Sequence, residues 1–215
     1  MTERRVLAGK QVDEWLEALA SEAPTPGGVA FAALAASSGA ALIAMVGRLT
    51  LRKRELEVVA PRMQEIVEEA DGSRMVLLAL ADRDAEAFQD VLAAYGLPRE
   101  TDEERTAWLH QLQEALEGSA EVALDLARRA VYLMGLAEDA VSMGNPNAIA
   151  DAMSGAVALH AAALAAVTNV RVNAFAFLDE TRRRELNETC DHLQERATAV
   201  LYDVQAAFDA RIVPT

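Results

Sequence analysis

APTPGGVAFAALAASSGAALIAMVG, residues 23–47, holds no charged side chain and opens on prolines and glycines that a helix interior does not tolerate. From Gly28 the run reads as helix to about Leu49, with Ala32, Ala36, Ala40 and Ala44 on one ridge at four-residue spacing. A second uncharged run, Ala152–Val170, repeats the pattern: Ala150, Ser154, Ala158, Ala162 and Ala166 share a ridge. Small residues on a ridge let helix axes approach closely. The two alanine-rich helices are therefore expected at the centre of a bundle, with their polar starts, Thr25–Gly28 and Asn145–Asn147, brought near one another.

Either run is long enough for a membrane span. Thr25, Ser37, Ser38, His160, Thr168 and Asn169 argue against one, as does the weak insertion tendency of alanine. The expectation is buried helices and no membrane. Acidic residues at Asp13, Glu14, Glu17 and Glu22 break any apolar leader, so a cytoplasmic protein is expected.

The rest of the chain also reads as helix. A first helix spans about Gln11–Ser21, with Val12, Trp15, Leu16 and Leu19 on one face. A long third helix follows Arg52–Arg54 and ends near Tyr95, with Pro61 in its first turn or at a kink. Thr101 and Glu104 form a capping box for a fourth helix running toward Gly135. Asn145 reads as an N-cap with Pro146 at the first helical position, and that helix runs to about Leu178. Thr181 is expected to cap the last. No segment alternates with the period of a strand. The fold class is all-α, a bundle of long antiparallel helices, with residues 1–215 as a single domain.

The chain of 215 residues carries 34 Asp and Glu against 20 Lys and Arg, a formal charge of −14. That field repels a phosphate backbone, so no nucleic-acid partner is expected. One cysteine, Cys190, excludes a disulfide framework and a cysteine metal cluster. His110, His160 and His192 are too scattered to suggest a metal site by spacing.

Three constellations have residue types suited to chemistry. Thr25, Gly27 and Gly28 open an uncharged helix whose exposed N–H groups favour an anion or a carbonyl. It lacks the GK[ST] of a phosphate loop. Asn145, Asn147, Asp151, Asn169 and Asn173 bracket the second uncharged helix. Asn147 and Asp151, like Asn169 and Asn173, are four apart and expected to share a face. A carboxylate entering an apolar core is expensive unless paired or functional. The alternative is a polar network that fixes helix register. In the third constellation Asp84 shares a face with Phe88, so Asp84 points inward and Glu86 outward; a solvated acidic face is the alternative. Arg52 and Lys53 form a cation pair suited to a carboxylate, or to the dipole of their own helix.

Taken in order, these motifs resemble the cyclodeaminase/cyclohydrolase family: Ala23-Pro24-Thr25-Pro26-Gly27-Gly28; Gly39-Ala40-Ala41-Leu42 with Met45-Val46 and Leu49-Thr50; Asp82 with Asp84-Ala85-Glu86-Ala87-Phe88; Leu97-Pro98 with Thr101 and Glu103-Glu104; then Gly144-Asn145-Pro146-Asn147, Asp151, Asn169-Val170 and Asn173. The family comprises the C-terminal domains of formiminotransferase-cyclodeaminases and stand-alone bacterial relatives. The likeness spans about residues 10–208. It implies an all-helical homodimer acting on a one-carbon derivative of tetrahydrofolate, with no tightly bound metal or redox cofactor. The reaction implied is cyclisation of 5-formiminotetrahydrofolate to 5,10-methenyltetrahydrofolate with release of ammonia, or hydrolysis of the methenyl compound. The chain departs from the family pattern at Val29, where a third glycine is usual, and at Leu51-Arg52-Lys53, where Gly-Lys is usual.

Both reactions move protons, work suited to a carboxylate of raised pKa in an apolar pocket. Asp151 and Asp84 are the catalytic candidates. Asn145, Asn147, Asn169 and Asn173 suit the pterin edge. Arg52 and Lys53, or the Thr25–Gly28 turn, suit the glutamate tail. The competing reading is a helical folate-binding or scaffold dimer without chemistry.

Overall fold

The computed structural model describes residues 7–212. Its helices are α1 (Val12–Leu19), α2 (Gly28–Leu51), α3 (Ala60–Tyr95), α4 (Asp102–Met143), α5 (Ile149–Phe175) and α6 (Glu180–Ile212), with 3-10 turns at Leu7–Gly9 and Arg54–Val59. No strand occurs among the described residues.

Local chemistry sets most of the ends. The Glu104 N–H donates to Thr101 Oγ1 at 3.1 Å and the Thr101 N–H to the Glu104 carboxylate at 3.0 Å, the reciprocal capping box at the start of α4. Pro61 sits in the first turn of α3, where its missing N–H costs no helical bond. Other ends differ from expectation. Helix α4 runs through Gly135 to Met143, because Leu133, Met134, Leu136, Ala137, Ala140 and Val141 are buried. Their burial outweighs the roughly 1 kcal/mol that one glycine costs inside a helix. Asn145 does not cap α5: its Oδ1 accepts from the Asn147 N–H at 3.0 Å, closing a turn that delays the helix to Ile149. Asn147 thus precedes the helix and shares no helical face with Asp151. Helix α5 stops at Phe175 rather than Leu178. Asp179, not Thr181, caps α6, its Oδ1 accepting from the N–H groups of Thr181 and Arg182 at 2.9 and 3.0 Å.

Side-chain pairs fix the antiparallel register. Arg48 on α2 meets Asp71 on α3. Arg62 on α3 holds Asp139 on α4 at 2.8 Å, and Tyr132 on α4 reaches Glu69 on α3. Asn173 on α5 donates to Ser119 on α4 at 3.0 Å, and Arg171 on α5 pairs with Asp191 on α6 at 2.6 Å. Helix α4 touches α2, α3, α5 and α6, and α5 touches α2, α4 and α6.

Helices α2 and α5 do cross closely. A Cβ on Gly39 would lie 2.8 Å from the Gly155 carbonyl oxygen, and one on Gly155 would lie 3.0 Å from that of Gly39. Ala32, Ala36, Ala40 and Ala44 are all buried. On α5 the expected ridge is buried only in its second half: Ala162 and Ala166 are buried, while Ala150 and Ser154 face solvent and Ala152, Gly155, Ala156 and Leu159 turn inward. Both helices are long and apolar enough to cross a membrane by length and composition. The fold buries 61% of the apolar window of α2 but only 44% of that of α5. What remains open is an apolar flank carrying Phe31 and Met45 on α2 and Val157 on α5, with Val172 and Phe175 beside Arg171 past the uncharged run.

Candidate active site

The antiparallel crossing of α2 and α5 decides which candidates meet. Gly28, at the start of α2, faces Asn169 near the end of α5: a Cβ there would lie 2.8 Å from Asn169 Nδ2. At the other end, Thr50 Oγ1 accepts from the Asn145 N–H at 2.8 Å. The turns at Thr25–Gly28 and Asn145–Asn147 therefore stand about 35 Å apart, the length of α2 at 1.5 Å per residue. The expectation that they come together within one chain is corrected.

The first cluster gathers Thr25, Gly27, Gly28, Asp84, Asn169 and Asn173. The register that joins Arg62 to Asp139 and Glu69 to Tyr132 places Asp84 level with the region of Ser119 on α4, and hence with Asn173. Asp84 lies seven residues from both Leu77 and Val91, two buried residues, so it points from α3 into the bundle. Burial pushes its carboxyl up to about 6 from 3.8. Glu86 faces outward, as its position on the helix predicts. Asn169 is half-buried and anchored by Nδ2 to the Ala165 carbonyl at 2.8 Å, which directs its Oδ1 away from its own helix. Gly27 ends the loop in extended backbone and α2 begins without a side-chain cap, leaving its first N–H groups for a ligand. Beyond this cluster α3 and α4 continue as a hairpin. Between them runs a cleft of about 370 Å³ lined by Ala87, Asp90, Ala94, Gln111, Glu114 and Gly118. It opens one turn from Asp84.

The second cluster holds Arg52, Lys53, Asn145, Asn147 and Asp151. Asn145 is buried at 6% exposure, and its Nδ2 reaches the Leu49 carbonyl at 3.5 Å. Arg211 from α6 donates to the carbonyls of Val141 and Gly144 at 2.6 and 3.0 Å, closing the C-terminal end of α4. Lys53 stands 3.7 Å from Glu55, and Arg52 is exposed. Asp151 lies eighteen residues before Asn169, close to five helical turns, so both project from the same side of α5. The two catalytic candidates, Asp84 and Asp151, are separated by roughly 30 Å along the bundle.

Ser119 escaped sequence reading. It is one buried serine in a long amphipathic helix, and only the register across α4 and α5 gives it Asn173 as a partner. The cleft residues Asp90, Gln111 and Glu114 read as an ordinary solvated face. No three His, Cys, Asp or Glu side chains converge as a metal site among the described residues.

A family model described as formiminotransferase-cyclodeaminase matches residues 11–192. The chain is 38% identical over 185 residues to a methenyltetrahydrofolate cyclohydrolase of Methylorubrum extorquens, covering 84% of this chain and 89% of that one. It is 31% identical over 195 residues to the formimidoyltransferase-cyclodeaminase of Gallus gallus, covering 91% of this chain but 36% of that longer protein. The solved structure of a formiminotetrahydrofolate cyclodeaminase from Thermotoga maritima superposes with a TM-score of 0.85 at 29% identity, over 95% of this chain and 98% of that one. The fold is an all-helical bundle with a carboxyl of raised pKa and two half-buried amides toward one end. The chain belongs to the formiminotransferase-cyclodeaminase family, and is an enzyme of the cyclodeaminase or cyclohydrolase kind in one-carbon folate metabolism.

Proposed function

We propose that this chain is a methenyltetrahydrofolate cyclohydrolase that works as a homodimer, with Asp84 as general base. The observation that carries the reading is the Asp84 carboxyl, half-buried on the inner side of α3 with a pKa near 6. Near neutral pH such a group is mostly ionised yet basic enough to take a proton in the transition state. Water adds to the methenyl carbon between N5 and N10 as Asp84 takes its proton. The tetrahedral adduct then opens by breaking one C–N bond, leaving a formyl group on the other nitrogen. The carboxylate also stabilises the cationic amidine it faces. Asn169 and Asn173 meet the pterin edge, and the first N–H groups of α2 offer donors to a carbonyl or carboxylate. No tightly bound cofactor enters this reaction.

The identity of 38% along 89% of a stand-alone cyclohydrolase favours hydrolysis over the cyclodeaminase reaction that the sequence motifs put first. Cyclodeamination is the second reading, favoured by the likeness to the Thermotoga cyclodeaminase over 98% of its length. An absorbance assay separates them. Faster loss of the near-ultraviolet methenyl band than in buffer supports the hydrolase. Growth of that band with ammonia release from 5-formiminotetrahydrofolate supports the deaminase. Silence with both substrates from a folded protein overturns both.

A further inference from the structure

Two helices stop where the Asp84 site begins. Ser37 Oγ donates to the Arg74 carbonyl at 3.0 Å. Counting back along α2 and forward along α3 from that bond sets Gly28, the first residue of α2, level with Arg83 and Asp84. The pairs Arg62–Asp139 and Tyr132–Glu69 set Asp84 level with Glu117 on α4. The Asn173–Ser119 bond brings Phe175, the last residue of α5, to the same level. Helix α6 starts there and runs back, from Arg182 beside Glu117 to Arg211 beside Gly144. Beyond this level the α3–α4 hairpin continues, and a pair of helices leaves one face of each without cover. Yet Val91 and Ala94 on α3 and Leu112 and Leu116 on α4 are all buried. The cover comes from Phe177 and from the segment ahead of α2.

That segment, residues 7–27, runs as an arm. The Leu7 N–H donates to Asp82 Oδ1 at 2.5 Å, so the arm leaves the flank of α3 two residues before Asp84. It returns at Gly28, level with Asp84, so its two ends bracket that carboxyl. Between them α1 buries one side chain, Trp15, at 3% exposure, while Val12 and Leu16 stand in solvent. Trp15 and Leu7 belong to the same core cluster as the buried residues of the hairpin. The indole N–H is buried and meets no acceptor among the described residues, so the ring lies in apolar surroundings.

We propose that Trp15 is a positioning residue for Asp84: the arm straps its ring across the open end of the bundle, where it keeps bulk water from the carboxyl. The part this plays in catalysis rests on the reading of Asp84 as general base. Burial is what raises the Asp84 carboxyl. Neighbouring charges do not supply the effect. On α4, Glu117 and Glu121 are held by Arg182, and Glu114 lines the cleft. Helix α5 presents Asn169 and Asn173, its Arg171 being held by Asp191, and α2 carries no charge before Arg48. On α3 itself Asp82 turns to Leu7, while Arg83 and Glu86 are exposed. Asp13, Glu14 and Glu17 on α1 are exposed as well. A helix secured by one ring lifts at low cost to admit a substrate and reseats behind it.

The carboxyl itself provides the test. In protein carrying carbon-13 at its aspartate carboxyls, the Asp84 resonance is the one lost in Asp84→Asn, and in the wild type it should titrate at about 6. Trp15→Ala is expected to lower that midpoint by about one unit or more, toward 3.8, and Trp15→Phe, which restores an apolar ring, to return it. Leu16→Ala, at an exposed position on the same helix, should leave it in place. The inflection of kcat/KM for methenyltetrahydrofolate should move with the resonance. If Trp15→Ala does not fold, Trp108→Phe leaves Trp15 as the sole tryptophan. Its emission should then change through the Asp84 midpoint, and lose that change when Asp84→Asn is added. An unmoved midpoint in folded Trp15→Ala, or Trp15 emission indifferent to Asp84, overturns the proposal. Wild-type protein that titrates as expected but turns over no folate overturns the enzymatic reading instead.

Discussion

At one end of the α2–α5 pair, every polar group of Asn145 is engaged: its N–H by Thr50, its Oδ1 by the Asn147 N–H, its Nδ2 by the Leu49 carbonyl. Arg211 closes the same corner through two carbonyls. At the other end, Asp84 sits half-buried and dry enough to hold its proton to about pH 6, and α2 begins without a side-chain cap. Both ends carry the amides and carboxylates that sequence reading singled out. Asn145 is satisfied internally, which fixes structure. The Asp84 end leaves capacity to bind, which costs stability and suits a site. Buried polar residues are thus informative about function only once their partners are known.

The contrast is broken most directly at Asp84. Asp84→Asn removes the base, and kcat is expected to fall by about 10²–10⁴-fold. Because the folded carboxyl titrates above its unfolded value of 3.8, the folded protein binds the extra proton between about pH 4 and 6. Wild-type stability therefore falls as pH rises through that window, and the penalty is fully present above it. The variant should be more stable than wild type at pH 7 by about 2 kcal/mol, and equal to it below pH 4. Denaturant titrations at both pH values check this. An activity loss accompanied by lower stability would make Asp84 a structural residue. In the wild type, kcat/KM should climb tenfold per pH unit below about 6 and level off above.

Asn145→Ala tests the opposite end. It leaves buried partners unpaired and should destabilise the fold by about 2 kcal/mol. Turnover of the protein that remains folded should stay within a few-fold of wild type. A 100-fold loss of kcat at unchanged melting temperature would erase the distinction between the ends. A smaller effect is expected from Gly28→Ala. Its Cβ must displace the Asn169 amide, raising KM a few-fold at little cost in stability, as steady-state kinetics and a thermal melt would show. Lys53→Ala is expected to have the least effect, a two- to three-fold rise in KM that grows with the number of glutamates on the folate.

The helices were legible because their signals are local. The Thr101 and Glu104 pair, Pro61 and the small-residue ridge of α2 each act within a turn or two of chain. The misread boundaries had local signals that distant contacts overrode: Gly135 inside a buried helix, and Asn145 drawn to Thr50 some 95 residues away. Asp84 was legible as an inward carboxylate from its place on α3. The separation of Asp84 from Asp151 was not, because spacing along a chain does not say whether two helices run in the same direction. Ser119 was invisible for the same reason.

Where Gly39 and Gly155 meet, main chain rests on main chain. In most of a core, a larger side chain on one helix is offset by a smaller one on its neighbour, and the two positions drift as a pair. Here neither side has anything to give back, so no second substitution rescues the first. This crossing is a fixed pivot in sequence space. The outer faces of both helices remain free to change while these two positions hold the geometry of everything at their ends.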